Sequence, residues 1–150
     1  MPRPITTYGD ELKPVALYSS SGRALGPSTL VLVDALALRD TTLRQYLAEL
    51  TGYARKMIAF LSTLNQDVTV TLGFSVDGTV LTGGTSFVGG LIVPASSARY
   101  LGPEGTTNAG FISEPRLGPG NYVDGIYVNI TASVAPTSGT LSVHVMRHAF

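Results

Sequence analysis

The chain has 150 residues, with ten basic side chains against ten acidic ones and a charged fraction of only 13 %. That is the size of one domain plus an appendage, with roughly half the usual share of charge. The charges are scattered, so no basic stripe exists to neutralise phosphates and a nucleic-acid partner is excluded; the absence of cysteine excludes disulfides and thiolate metal sites. No apolar run reaches ~18 residues, so no membrane partner is expected, and MPRPITTYGDELKP lacks the apolar stretch of a secretory signal. Zero net charge favours self-association.

Residues 1–29 carry Pro2, Pro4, Pro14 and Pro27 and show no sustained periodicity. Proline disfavours helix and cannot donate to a central ladder, so this segment reads as an extended N-terminal arm. It nevertheless holds Ile5, Tyr8, Leu12, Val15, Leu17 and Tyr18, more apolar residues than a disordered tail usually carries. These six are the expected interface residues, ordering by contact with another subunit.

A β-domain is expected over residues 30–150. Leu30–Leu38 alternates weakly and reads as a buried strand. Thr41–Leu64 is ambiguous. Leu43, Tyr46, Leu47, Leu50, Ala54, Met57, Ile58 and Leu61 fit an amphipathic helix, but Gly52 interrupts it, at about 1 kcal/mol relative to Ala. The preferred reading places one or two helical turns in Thr42–Leu50 and pairs Tyr53–Thr63 with Asp67–Val76 as a hairpin. A long helix over Thr42–Leu64 is the alternative.

Asp77-Gly78 marks a turn, and Thr79–Leu81 and Ser86–Val93 read as strands around Gly83-Gly84. Pro94–Pro119 is rich in Gly, Pro, Ser and Thr and reads as a long functional loop, with short apolar pieces at Tyr100-Leu101 and Phe111-Ile112. Tyr122–Val134 resumes a strand with a bulge expected at Asp124-Gly125. Across the Pro136–Gly139 turn it forms a C-terminal hairpin with Thr140–Arg147, whose Leu141, Val143, Val145 and Arg147 share one face. Seven or eight short strands predict an all-β, antiparallel β-sandwich or jelly-roll-like domain with at most a short helix.

No catalytic constellation is expected. The only histidines are His144 and His148, and Ser142 lies beside His144 on one strand face, where side chains run parallel and do not meet as a triad requires. GFSVDG and GTSFVG fail the spacing of a nucleophile elbow. Glu104 and Glu114 could be drawn as a carboxylate pair, but nothing in the sequence fixes their separation. Asp77 and Asp124 each precede glycine, which is ordinary turn chemistry, so no metal and no cofactor are expected. Gly118-Pro119-Gly120 lacks the third glycine of a phosphate loop. Asn129-Ile130-Thr131 fits a glycosylation sequon but lies mid-strand. The seven tyrosines suit core and interface packing more than sugar stacking.

The run GYARKMIAFLSTLNQDVTVTLGFSVDGT, with the closing VDGIYVNITASVAPTSGTLSVHVMR, resembles small β-sandwich proteins encoded by tailed bacteriophages. The shared style is a strand ending near TLNQ, a V-T-V-T strand, an S-x-D-G turn and a last hairpin on P-T-S-G, across about residues 50–147. With its proline-containing arm the chain is most similar to capsid decoration (cement) proteins, which trimerise on the outer shell and clamp capsomers together. The resemblance implies a virion structural protein on the outer capsid surface, a homotrimer, and contact with the major capsid protein or other virion subunits. It carries over no individual functional residues. The alternative is a tail or baseplate module that binds a carbohydrate or receptor through Pro94–Pro119 and Tyr100 or Tyr122. A small hydrolase using Glu104 or Glu114 comes last.

Overall fold

The computed structural model describes residues 28–76, 78–81, 86–103, 110–118 and 124–149, with Phe87 by its backbone alone. The arm residues Ile5, Tyr8, Leu12, Val15, Leu17 and Tyr18 lie outside the described residues, as do Asp77, Gly83-Gly84, Glu104 and Tyr122.

Among the described residues ten strands run in chain order: β1 (Ser28–Leu36), β2 (Arg44–Glu49), β3 (Arg55–Ser62), β4 (Val68–Val76), β5 (Thr79–Val80), β6 (Ser86–Val93), β7 (Ala98–Gly102), β8 (Phe111–Ser113), β9 (Gly125–Thr131) and β10 (Leu141–His148). The first sheet has the order β1-β10-β3-β7-β8; in the second, β2, β9 and β4 lie side by side, and β5 and β6 both pair with β4. All pairings are antiparallel except that of β7 with β8. The two sheets enclose one core, with Phe60, Ile58, Leu141 and Val143 from the first meeting Val70, Leu72, Ile126 and Ile130 from the second. The domain is an all-β sandwich, and its only helical piece among the described residues is a 3-10 turn at Pro115–Leu117.

Several expectations are corrected. Thr42–Leu50 is not helical, and no helix spans Thr42–Leu64, because the stretch forms β2 and β3. What is buried follows a period of two: Ala48 and Leu50 face the core while Leu43 and Leu47 of the supposed helical stripe stay exposed. Gly52, at φ 85°, makes the turn between the two strands.

Tyr53–Thr63 and Asp67–Val76 do not pair with each other. β3 pairs with β10 and β7, and β4 with β9, β5 and β6, so the two strands face one another across the core. The link between them crosses the end of the sandwich and is held there. Leu64 is fully buried, its carbonyl accepts from the Ser96 N–H at 2.9 Å, and the Asn65 side chain bonds Thr137. Alternation fixes which side chains point inward and is silent about which strand lies alongside.

The C-terminal hairpin fails for the same reason, since β9 belongs to the second sheet and β10 to the first. The expected bulge at Asp124-Gly125 is replaced by an unbroken register of β9 with β2 and β4. Finally, Pro94–Pro119 is not one loop. Its apolar pieces become β7 and β8, which extend the first sheet.

Other expectations agree with the structure. Leu141, Val143 and Val145 are buried on one face of β10. Gly139 of the Pro136–Gly139 turn has φ 83°, and a Cβ there would collide with the Thr63 carbonyl, so this turn accepts glycine alone.

Candidate assembly surface

β1 takes in Ser28 and Thr29, the last two residues of the expected arm, so the arm meets the sandwich at Ser28 on an edge strand of the first sheet. The junction is clamped. Arg147 Nε donates to Ser28 Oγ at 3.1 Å, and Nη1 donates to the Glu49 carbonyl at 3.2 Å. The guanidinium lies over the Tyr53 ring, 4.6 Å from its centroid, within range of a cation–π attraction. Ser28 Oγ also lies 3.5 Å from Tyr53 Oη. Arg147, with Glu49 and Tyr53 around it, thereby fixes Ser28 at the start of β1.

Beside Arg147 in the β10–β3 register stands Lys56, only 2 % exposed. Burial pushes its ammonium below the ordinary lysine range, and attraction to Asp124 opposes the shift. A lysine inside an alternating strand pattern was legible in the sequence, but its pairing with Arg147 required the fold.

Strand alternation divides the first sheet into an inner, core-packed face and an outer one. One register row on the outer face runs Val31, His144, Ala59, Tyr100 and Phe111 across all five strands. The adjacent rows add Met57, Met146 and Leu61. Val31 is 48 % exposed and Leu61 39 %, while Met57, Met146, Tyr100 and Phe111 are partly buried. Tyr100 and Phe111 stack with centroids 6.1 Å apart and planes 18° from parallel. The nearest charges are Arg55, opposite His148 at one end of β3, and the exposed Asp34 in the irregular stretch of β1.

The residues weighed for chemistry have other duties. Ser142 Oγ accepts from the Ala35 N–H at 3.0 Å, tying down an irregular stretch of β1. Glu114 is buried at the start of the 3-10 turn, where its carboxylate accepts from the Arg116 N–H at 3.1 Å and pairs with the Arg116 guanidinium at 3.3 Å. Asn129 accepts from Gln45 Nε2 at 2.9 Å on the outer face of the second sheet. Among the described residues no three His, Asp or Glu side chains gather as a metal site would require. An open cleft at the end of the sandwich, lined by residues including Gln66, Asp67, Ile92 and Ser133, contains no aromatic ring.

Compared with protein-family models, with curated proteins and with solved structures, the chain matches none.

Proposed function

We propose that this protein is a structural subunit of a virion, a capsid-decorating homotrimer that stabilises a phage head through its β-domain and N-terminal arm. The observation that supports this most is the outer face of the first sheet, whose central rows are largely apolar from Val31 to Phe111, on the sheet whose edge strand β1 begins at Ser28. A monomeric soluble domain rarely presents a contiguous apolar patch of this kind unless it meets a partner. The mechanism is mechanical: the arm adds interface without enlarging the domain, and tethering raises its effective concentration where it binds. The test is light scattering of the full chain and of a chain lacking residues 1–27, cut before Ser28 so that β1 stays whole. The full chain should show the mass of a trimer and the shortened chain a smaller, still folded species. Equal assembly by the shortened chain, with equal retention on capsid shells, would remove the arm from the mechanism.

The second reading is a carbohydrate- or receptor-binding module of a tail or baseplate. It is supported by the stacked Tyr100–Phe111 pair, an aromatic platform of the sort that sugars stack on. A glycan array tests it: binding that Tyr100→Ala abolishes supports it, and an empty array removes it.

A further inference from the structure

We propose that the outer face of the first sheet is the seat of the arm, residues 1–27, of a neighbouring copy, whose apolar side chains cover the row of Val31, Ala59 and Tyr100. The inference rests on the assembly reading above and adds where the arm binds. Three observations point to this occupant.

The first is length. An extended chain rises about 3.3 Å per residue, so 27 residues reach up to ~90 Å. Five strands at ~4.8 Å spacing make a face only ~24 Å wide, and a domain of this size is ~35 Å across. Twenty-seven residues are therefore long enough to span the face of a neighbouring domain. The second is the root. Ser28 is pinned by Arg147 at the edge of this same sheet, so every arm in an oligomer starts from a fixed point beside such a face. The third is the manner of docking. β1 is an edge strand, but its pairing with β10 slips twice, between Val31 and Val33 and between Val33 and Leu36, and Ala35 sits at φ 47°. Irregularities of this kind spoil an edge for strand addition. The face is regular and apolar where the edge is not. To that face the arm brings Ile5, Tyr8, Leu12, Val15, Leu17 and Tyr18, together with the charged Arg3, Asp10, Glu11, Lys13 and Arg23.

The absence of cysteine makes a clean test in the full chain. Three tagged arm variants, Tyr8→Cys, Leu12→Cys and Val15→Cys, are each mixed with an untagged face variant, Val31→Cys or Leu61→Cys. Thr71→Cys, on the outer face of the second sheet, is the control. Masses are first measured by light scattering under reducing conditions, and the mixtures are then oxidised. The expected result is an oligomer in which at least one arm variant forms a disulfide with a face variant of another chain, with loss of that product for Thr71→Cys. Oligomers in which no arm variant reaches Val31→Cys or Leu61→Cys, or in which Thr71→Cys reacts equally, overturn the seat and leave the assembly standing. Monomers in every mixture overturn the assembly reading and the seat with it. A chain carrying both Leu12→Cys and Leu61→Cys that closes only on itself shows that each arm covers its own domain, which also overturns the proposal.

Discussion

The two sheets of this sandwich share a core but finish their outer surfaces in different ways. On the second sheet, Tyr127 is directly opposite Gly73 in the β4–β9 register and is only 7 % exposed, although it points away from the core. It lies across the bare glycine so closely that a Cβ at Gly73 would overlap its ring. Around it stand Gln45, Asn129, Thr69 and Thr71, with the exposed Leu47 directly opposite on β2 and Ile92 beside Thr69 on β6, so this sheet covers its large aromatic and mixes its exposed aliphatic residues with polar ones. On the first sheet the corresponding strands carry Val31, Met57, Leu61 and Met146, with a stacked aromatic pair at the far edge. Nothing among the described side chains folds over Val31 or Leu61, which stay exposed. Both surfaces expose aliphatic side chains, but the second intersperses them with polar groups, whereas the central rows of the first are largely apolar, as an interface core is.

The largest test breaks the cover of Tyr127 on the second sheet. Gly73→Val must displace the Tyr127 ring, and overpacking of this kind costs roughly 1–3 kcal/mol. Urea unfolding should show a fall of that size. Tyr127→Ala combined with Gly73→Val should recover part of it, because the collision disappears. A fully stable Gly73→Val would mean that Tyr127 does not need the glycine.

The next test separates assembly from stability. Leu61→Asp is an exposed substitution and should move the unfolding free energy by no more than ~0.5 kcal/mol. In light scattering, however, it should weaken self-association by about tenfold or more, equivalent to ~1.4 kcal/mol. Thr71→Asp on the second sheet should leave association unchanged. Equal effects on both faces would erase the contrast between them.

A smaller effect is expected at the arm's root. Arg147→Met keeps much of the hydrophobic stem but loses two hydrogen bonds and the contact with Tyr53. The cost should be about 1–2 kcal/mol. Amide exchange should accelerate at Ser28–Leu30 before it does in β3. Uniform acceleration across the domain would show that Arg147 supports the core and does not clamp the arm in particular.

The contrast between the faces was half legible in the sequence. Alternation gave Leu141, Val143 and Val145 as one face of β10, and all three are buried, because burial of one face imposes the pattern whatever the neighbouring strand. The partners of each strand were not legible. The links at Leu64 and at Pro136–Gly139 look like hairpin turns but carry the chain from one sheet to the other, held by Leu64 in the core and by Asn65 bonded to Thr137. β7 and β8 were hidden because a run rich in Gly, Pro and Ser has little strand propensity of its own; the first sheet recruits Ala98–Gly102 onto β3. The outer face of the first sheet was invisible for the same reason. Val31, His144, Ala59, Tyr100 and Phe111 come from five separated segments and form a row only once the strand order is known.

β3 sharpens the comparison within a single strand, since it turns Met57 and Leu61 outward and Lys56 inward. The buried ammonium gives the smallest of the expected effects and the one with a pH signature. Burial lowers the lysine below its unfolded value of 10.5, so the charged form is disfavoured in the folded state. At neutral pH the folded chain bears that penalty in full. As pH rises, the folded protein releases its proton before the unfolded chain does. The unfolded state then binds more protons, and stability climbs with pH. The climb ends near 10.5, where the unfolded lysine titrates too. Lys56→Met has no such group. It should melt roughly 2–5 °C above the natural chain at neutral pH, and this advantage should shrink as the pH approaches 10.5. Taking the difference between the two proteins at each pH cancels the titration of every other group that the substitution leaves undisturbed. A difference that stays constant across the range would mean that Asp124 offsets the burial of Lys56 completely, and that the inward charge of β3 costs the fold nothing.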